Sequence, residues 1–130
     1  MSITILGVDL PEQADAVVFV NGIKARNVQG LLYMWRNLQI LRTSPMQVDG
    51  CMDMKAGIVG PNEFVIVSYW QSPEALKAYF MSEVHRKMMK YFYQHPDSIE
   101  LYNETYHPTS AGKYTSEHGM AKVYPLVALR

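Results

Sequence analysis

The stretch FVIVSYWQSPEALKAYF, residues 64–80, joins a strand to a helix through one short turn. Residues 64–70 are apolar at nearly every position, which is typical of a strand with both faces covered. Ser72 is a good N-cap, Pro73 suits the first helical turn, and Glu74 complements the helix dipole. The stretch therefore predicts a strand–helix pair and leaves open what covers the second face of the strand.

A similar strand–helix pair is predicted earlier in the chain. Residues 14–25 have the β-branched and aromatic content of a strand, and both alternating sets begin apolar. Residues 27–42 carry apolar side chains at helical spacing, with Asn27 as N-cap. Pro45 ends that helix because its ring disfavours helical geometry in the preceding residue. Residues 46–60 then predict a second strand with a bulge or bend at its glycines.

The second helix is predicted to run without a break to residue 94, before the HPD of residues 95–97. Its apolar stripe has a spacing of four residues: Leu76, Phe80, Val84, Met88 and Phe92. Residues 98–107, SIELYNETYH, alternate strictly and predict the last strand. Residues 108–130 have no strong period and predict a loop and tail.

The element order is strand, helix, strand, strand, helix, strand, which is the ferredoxin-like βαββαβ plan of the α+β class. In this plan two helices cover one face of a four-stranded antiparallel sheet. The second face needs a cover, either the sheet of a second subunit or a bound ligand. We expect one domain over residues 1–130, with a core at about 15–107 and a C-terminal tail at 108–130.

Composition excludes several function classes. Twelve Lys and Arg residues balance twelve Asp and Glu residues, and the basic ones are scattered, so nucleic acid is not an expected partner. One cysteine, Cys51, cannot form an internal disulfide, and no segment has the pattern of a leader or membrane span. These features predict a soluble cytoplasmic protein that contacts no membrane. The chain lacks GxSxG, P-loop, GxGxxG and HExxH motifs, and its four histidines lack zinc spacing.

Two segments carry a family resemblance. One is the apolar strand that ends in Tyr69 and Trp70, followed by SPEAL at 72–76 and Tyr79. With it, the chain resembles the dimeric α+β-barrel superfamily, which contains antibiotic-biosynthesis monooxygenases, haem-degrading monooxygenases, chlorite dismutases and aldoxime dehydratases. The other is LYNETYHPTSAGKYTSEHGMAKVY, residues 101–124. It resembles the tail of a bacterial monooxygenase-like family that carries a Trp-His-Glu-Thr-Tyr segment and then Gly-x-Tyr.

The resemblance covers roughly residues 15–125 and implies a homodimer. In that dimer two sheets close into a barrel, and each subunit has an active-site cavity between its sheet and its own helices. It also implies a role for Asn21, since an Asn on the first strand of relatives contacts the substrate oxygen or bound oxygen. An amide in a dry pocket can donate a hydrogen bond to a developing enolate or peroxide oxygen. The alternative is that Asn21 starts a turn with Gly22.

His85 lies on the second helix and is a candidate haem ligand or general base, because histidine changes charge near neutral pH and often binds iron. Alignment with the haem-degrading branch places Tyr79 at its Trp and Met89 at its ligand His, which weakens the haem interpretation. The alternative is a surface or boundary histidine. Asn103 and Glu104 of the last strand are further candidates. Glu104 could act as a proton shuttle among tyrosines, or be a salt-bridged or solvated edge residue.

The aromatic residues suggest a flat cavity for a small hydrophobic or aromatic ligand, although plain core packing is the alternative. The candidate substrate-contacting residues are Phe19, Trp35, Tyr69, Trp70, Tyr79 and Tyr106. Our prediction is a monooxygenase-like enzyme of secondary metabolism that acts on an aromatic or polyketide-type substrate. It needs no metal if the substrate supplies the electrons, as a deprotonated phenol or anthrone can. The alternatives are a haem-binding or haem-dependent protein of the same superfamily, and a non-catalytic ligand-binding dimer.

Overall fold

The computed structural model describes residues 4–9, 15–109, 112–116, 118–121 and 124–129. It contains seven strands and four α-helices among those residues. In chain order they are β1 Leu6–Val8, β2 Val17–Ala25, α1 Val28–Arg36, α2 Leu38–Thr43, β3 Cys51–Gly60, β4 Glu63–Trp70, α3 Pro73–Phe80, α4 Glu83–Gln94, β5 Ile99–Tyr106, β6 Lys113–Tyr114 and β7 Leu126–Ala128. None of the helices in these ranges is long and apolar enough to cross a membrane.

The principal sheet has four antiparallel strands in the order β3-β4-β2-β5. This order, with helices between β2 and β3 and between β4 and β5, is the ferredoxin-like plan, so the predicted fold class is confirmed. Buried side chains of β2 and β4 pack together with buried side chains of all four helices, on one face of the sheet. We call this the helix-facing side and the other the outer side.

Both predicted helix starts are confirmed, but the first helix is shorter than expected. The Asn27 side chain accepts a hydrogen bond from the Gly30 amide, and that of Ser72 accepts one from the Ala75 amide. The single helix predicted over 27–42 is wrong, because it is divided at Asn37 into α1 and α2. The Asn37 side chain donates to the Tyr33 carbonyl at 2.8 Å, a local bond that competes with continued helix.

The second helix is also divided, so the unbroken stripe predicted from residue 76 to residue 92 is wrong. α3 ends at Phe80, and Ser82 then acts as the N-cap of α4 by accepting a hydrogen bond from the His85 amide at 3.3 Å. A serine hydroxyl that caps a new helix favours extended geometry at its own position. As a result Val84 is 38% exposed instead of buried.

The core lies between the sheet and the helices and has two parts. Ile23 and Phe64 pack with Met88 and Phe92 of α4 in the larger cluster. The smaller one surrounds Trp70, which is fully buried. Because burying each large apolar side chain contributes about 1.5–3 kcal/mol, these clusters fix the position of α4 against the sheet.

A second, three-stranded sheet joins the two ends of the chain. β1 pairs antiparallel with both β6 and β7, so the loop and tail predicted over 108–130 contain two short strands that the sequence pattern did not indicate. Burial raises the pKa of Tyr69, on the outer side of β4, and nearby Tyr114 and Tyr124 add to the shift. The tail therefore lies near the outer side of the principal sheet at the end of β4, a tertiary contact that local periodicity does not report.

Candidate functional site

A groove of about 570 Å³ runs along one side of α4. It is lined by the last residue of α3 and by successive turns of α4: Phe80, His85, Arg86, Met89, Lys90, Tyr93 and Gln94. The other side of α4 packs on α1, where the Tyr33 and Tyr91 rings stack with centroids 3.5 Å apart. The space, which we call the α4 groove, therefore lies on the side of α4 away from α1.

The far end of the edge strand β5 is uncovered on its helix-facing side. Asn103 and Thr105 point toward that side and yet are exposed. Thr105 is the register partner of Phe19, whose ring contacts Phe80 with centroids 5.1 Å apart. Phe80 in turn lines the α4 groove. The contacting rings of Phe19 and Phe80 therefore lie between the uncovered end of β5 and the α4 groove.

Asn21 places an amide in the apolar helix-facing side of β2. Its register partners are Ile66 of β4, which is buried, and Asn103 of β5. The Asn21 side chain is half-buried, and within the described part of the chain it has no hydrogen-bond partner. Asn21 lies within β2 and pairs with both neighbouring strands, so it does not begin a turn. Two neighbouring amides, of Asn21 and Asn103, are therefore available to a ligand.

His85 is held in one orientation at the start of α4. Its Nδ1 lies 3.2 Å from the Phe80 carbonyl oxygen, and the ring contacts the rings of Tyr79 and Phe80 at 5.0 and 5.2 Å. Because a carbonyl only accepts, Nδ1 carries the proton and Nε2 is left as an acceptor. Burial lowers the pKa of His85, and the bond to Phe80 opposes this shift. The neutral ring that results can accept a proton through Nε2.

No group of three or more His, Cys, Asp or Glu side chains in the described ranges could hold a metal ion. A haem differs, since one protein ligand can hold its iron. His85 fits that role in one respect: its Nδ1–H bond to a backbone carbonyl is the usual support for a metal-binding imidazole and leaves Nε2 free. Met89, one turn further along α4, also lines the groove.

The structure does not bring the six aromatic candidates together. Trp70 and Tyr79 are buried in the core, where their rings stack at 5.4 Å and Trp70 Nε1 donates to Ser68 at 2.8 Å. Tyr69 points to the outer side of the sheet, because successive residues of a strand point to opposite faces. Trp35 is exposed on α1. Trp35, Tyr69 and Trp70 therefore do not line a common cavity within one chain.

Two other candidates lie on the outer side. Glu104 and Tyr106 are exposed, and the Tyr106 hydroxyl donates to the Glu104 carboxylate. Asn21 and Asn103 occupy the other face of the sheet. The structure thus separates Glu104 and Tyr106 from the α4 groove. Phe19 is buried and contacts Phe80, which lines the groove.

Sequence reasoning missed several residues of the groove, above all Arg86 and Lys90. A usable signal was present: the pairs His85–Met89 and Arg86–Lys90 each have the spacing of four that places side chains on one helix face. The apolar spacing predicted one continuous helix through α3 and α4, which assigns these pairs to a different face. Ser82 instead starts a new helix.

Comparisons with known proteins agree with this architecture. Residues 16–123 match the family described as monooxygenase af470-like. Protein SO0527 from Shewanella oneidensis has a TM-score of 0.60 at 18% identity, covering 74% of this chain and 93% of its own. A candidate antibiotic biosynthesis monooxygenase from Deinococcus radiodurans has a TM-score of 0.58 at 16% identity, covering 70% and 91%.

A third similar structure is SnoaB, a cofactor-independent oxygenase from Streptomyces nogalater, with a TM-score of 0.54 at 11% identity, covering 73% of this chain and 94% of SnoaB. At these identities the likeness concerns the fold alone. No curated protein sequence matches this chain.

Proposed function

This chain belongs to the monooxygenase af470-like family, and from that premise we propose that it oxygenates a small aromatic or polyketide-type substrate that lies between the α4 groove and the uncovered end of β5. The observation that carries the proposal is the Asn21 amide. It is half-buried on an apolar sheet face, has no hydrogen-bond partner among the described residues, and lies beside Asn103. An unpaired amide in such surroundings is poised to bind an oxygen atom of a ligand.

The proposed reaction uses the electrons of the substrate. A deprotonated phenol or anthrone can reduce dioxygen. Conversion of the anthrone CH₂ group into C=O, or of a phenol into a quinone with loss of one ring hydrogen and the hydroxyl hydrogen, consumes one O₂ and releases one H₂O. The substrate thus loses four electrons and gains one oxygen atom, so the equation balances without another reductant. The likeness of the fold to SnoaB supports this cofactor-independent route.

Each polar residue has a distinct proposed role. Nε2 of His85 accepts the proton that leaves the substrate, since Nδ1 donates its hydrogen to the Phe80 carbonyl and burial lowers the pKa of the ring, which favours its neutral form. The amides of Asn21 and Asn103 donate hydrogen bonds to the oxygen on which negative charge develops. Phe80 and Met89 form an apolar wall on which the ring system of the substrate packs.

The test is oxygen uptake with anthrone and a panel of electron-rich phenols as probes. Removing one hydrogen-bond donor to a developing oxyanion costs about 10²–10³ in turnover, so Asn21→Ala should lose that much, and Asn21→Asp should lose at least as much. Gln71→Ala is the matched control, because it removes an exposed amide from the turn between β4 and α3. Full activity of Asn21→Ala would contradict the proposal.

We also propose that two chains form a homodimer through the outer side of the sheet. Val18, Val20, Val65 and Val67 lie on that side and are only half-buried in the single chain. Next to them the Tyr102 side chain lies across Gly22, where a Cβ would overlap its ring, and its hydroxyl donates to Glu63 at 3.2 Å. An apolar strand surface of this kind gains stability when a second sheet covers it.

Light scattering at micromolar concentration tests the dimer. The wild-type chain should have twice the mass of 14.9 kDa, and Val20→Glu should be monomeric because it would bury an unpaired carboxylate. Val28→Glu is the control, since Val28 is 71% exposed on α1, away from this face. A monomeric wild-type protein would overturn the dimer.

A second candidate function is haem binding, favoured by the Nδ1–carbonyl bond of His85. In this case His85 would hold the iron through Nε2, and the bound haem would supply the redox chemistry of its iron. Haemin titration tests this candidate: a sharp Soret shift that His85→Ala abolishes would support it. An unchanged spectrum of the wild-type protein would exclude it.

A further inference from the structure

We propose that the ligand of the α4 groove carries an acidic group, such as a carboxylate or an ionised phenol, and that Arg86 and Lys90 bind it. This inference rests on the proposed function for the location of the substrate, and it adds the chemical class of the substrate. The occupant is thus an amphiphile: a planar apolar body that lies on Phe80 and Met89, with an anionic substituent directed to the rim.

The first observation is the pair of cations on one edge of the groove. Arg86 and Lys90 are four residues apart, so they lie one above the other on the same face of α4. Across the described ranges neither takes part in an ion pair. Lys87, on another face of the same helix, instead pairs with Glu83 at 3.4 Å. The charges on the groove side are therefore available to a ligand.

The second observation is the composition of the wall. None of the seven residues that line the groove is acidic, although the whole chain has equal numbers of acidic and basic residues. The positive charge of the groove therefore does not reflect an excess of basic residues in the whole chain. Like charges at a spacing of four destabilise an isolated helix by a few tenths of a kcal/mol, and a bound anion would reverse this repulsion.

The third observation is what lies beside the cations. Phe80, His85 and Met89 are half-buried and supply the apolar surface, while Arg86 and Lys90 are exposed at the edge. Binding sites of this type combine apolar contacts for the ring system with a few charged groups that fix orientation. A guanidinium binds a carboxylate with two parallel hydrogen bonds, which gives geometric selection in addition to attraction.

A pair of fluorescent probes of the same skeleton tests the inference by direct binding. 1-Anilinonaphthalene-8-sulfonate is anionic, and N-phenyl-1-naphthylamine lacks the sulfonate. Each exposed cation should contribute about two- to fivefold in affinity for the anionic probe. Arg86→Gln and Lys90→Gln should therefore each weaken its binding by this factor, with no change for the neutral probe. Raising the salt concentration should weaken only the anionic probe.

Lys87→Gln is the matched control, because it removes the same charge from the same helix on a face outside the groove. It should leave both affinities unchanged. Equal losses in Lys87→Gln and Arg86→Gln would overturn the inference, since they would indicate a general charge effect. Unchanged binding of the anionic probe in the Arg86→Gln/Lys90→Gln variant would overturn it as well.

Two further arms separate this inference from other failures. A haem also has a planar apolar body and acidic groups, so it could bind at the same cations. Haemin is therefore titrated into the wild-type protein and into His85→Ala. A Soret shift that is lost in His85→Ala identifies ligation of the iron, whereas binding of the sulfonate probe does not require His85. Probe binding is measured without turnover. If the anionic probe depends on Arg86 and Lys90 while no compound supports oxygen uptake, the acidic-ligand site stands and the proposed oxygenase function fails.

Discussion

Replacing Gly30 by alanine should destabilise the protein, although the same change in most helices stabilises. Alanine is favoured over glycine in a helix by about 1 kcal/mol. At Gly30, however, a Cβ would overlap the carbonyl oxygen of Ser98 and lie 2.8 Å from the Ser98 carbonyl carbon. These are backbone atoms of the turn before β5, so they cannot rotate away as a side chain would.

The cost follows from the contacts that must move. Relieving the overlap shifts α1 from the start of β5 and weakens the hydrogen bond from the Arg26 amide to the Ser98 carbonyl, now 2.8 Å long. Overpacking costs about 1–3 kcal/mol and the weakened bond about 1 kcal/mol. Subtracting the helix gain of about 1 kcal/mol leaves a net loss of about 1–3 kcal/mol.

Urea unfolding measures this loss directly. For a slope of about 1–3 kcal/mol per molar, the midpoint of Gly30→Ala should fall by about 1 M. Gly57→Ala in β3 is the control, since a Cβ there meets no atom within 4 Å, and its midpoint should not fall. A Gly30→Ala midpoint equal to or above that of the wild type would refute the close approach of α1 to Ser98.

Three further predictions concern single side chains. Burial lowers the pKa of His85 from its ordinary 6.5, so the unfolded chain holds the proton more tightly and stability should fall as pH drops below 6.5. In urea unfolding between about pH 5 and pH 7, His85→Gln should reduce the dependence of the free energy of unfolding on pH. An unchanged pH dependence would contradict the lowered pKa of His85. Burial raises the pKa of Cys51 from 9.0 to about 11, so a disulfide reagent at about pH 8 should modify the native thiol roughly 100-fold more slowly than the unfolded one. Ser82→Ala removes the N-cap of α4 and should cost about 1 kcal/mol in the free energy of unfolding, whereas no loss would mean that the cap contributes little.

The elements of the principal sheet could be predicted because their signals are local. Strict alternation in SIELYNETYH indicates β5 and correctly divides Asn103 from Glu104 by face. Asn27 and Ser72 mark two helix starts through side chains that act within three residues. The break at Ser82 was missed because the apolar spacing across it is also compatible with one continuous helix.

The candidate site could be predicted only in part. Asn21 stands out in the sequence as a polar residue within an apolar strand, and His85 as a titratable residue on a helix. Their relation depends on the contact of Phe19 with Phe80 and on the distance from His85 to the Phe80 carbonyl, which join residues of different elements. The same applies to Trp70, whose complete burial no local pattern reports.

The sequence by itself determined the order of the four strands of the principal sheet and of the helical segments between them, and with it the ferredoxin-like plan, because capping, alternation and proline act over a few residues. The tertiary structure decided which side chains share a space. Pairing of β1 with β6 and β7, more than a hundred residues apart, and the position of Arg86 and Lys90 at a groove follow from packing across the chain. Such contacts depend on how whole elements fit together, so they emerge only when the core has closed.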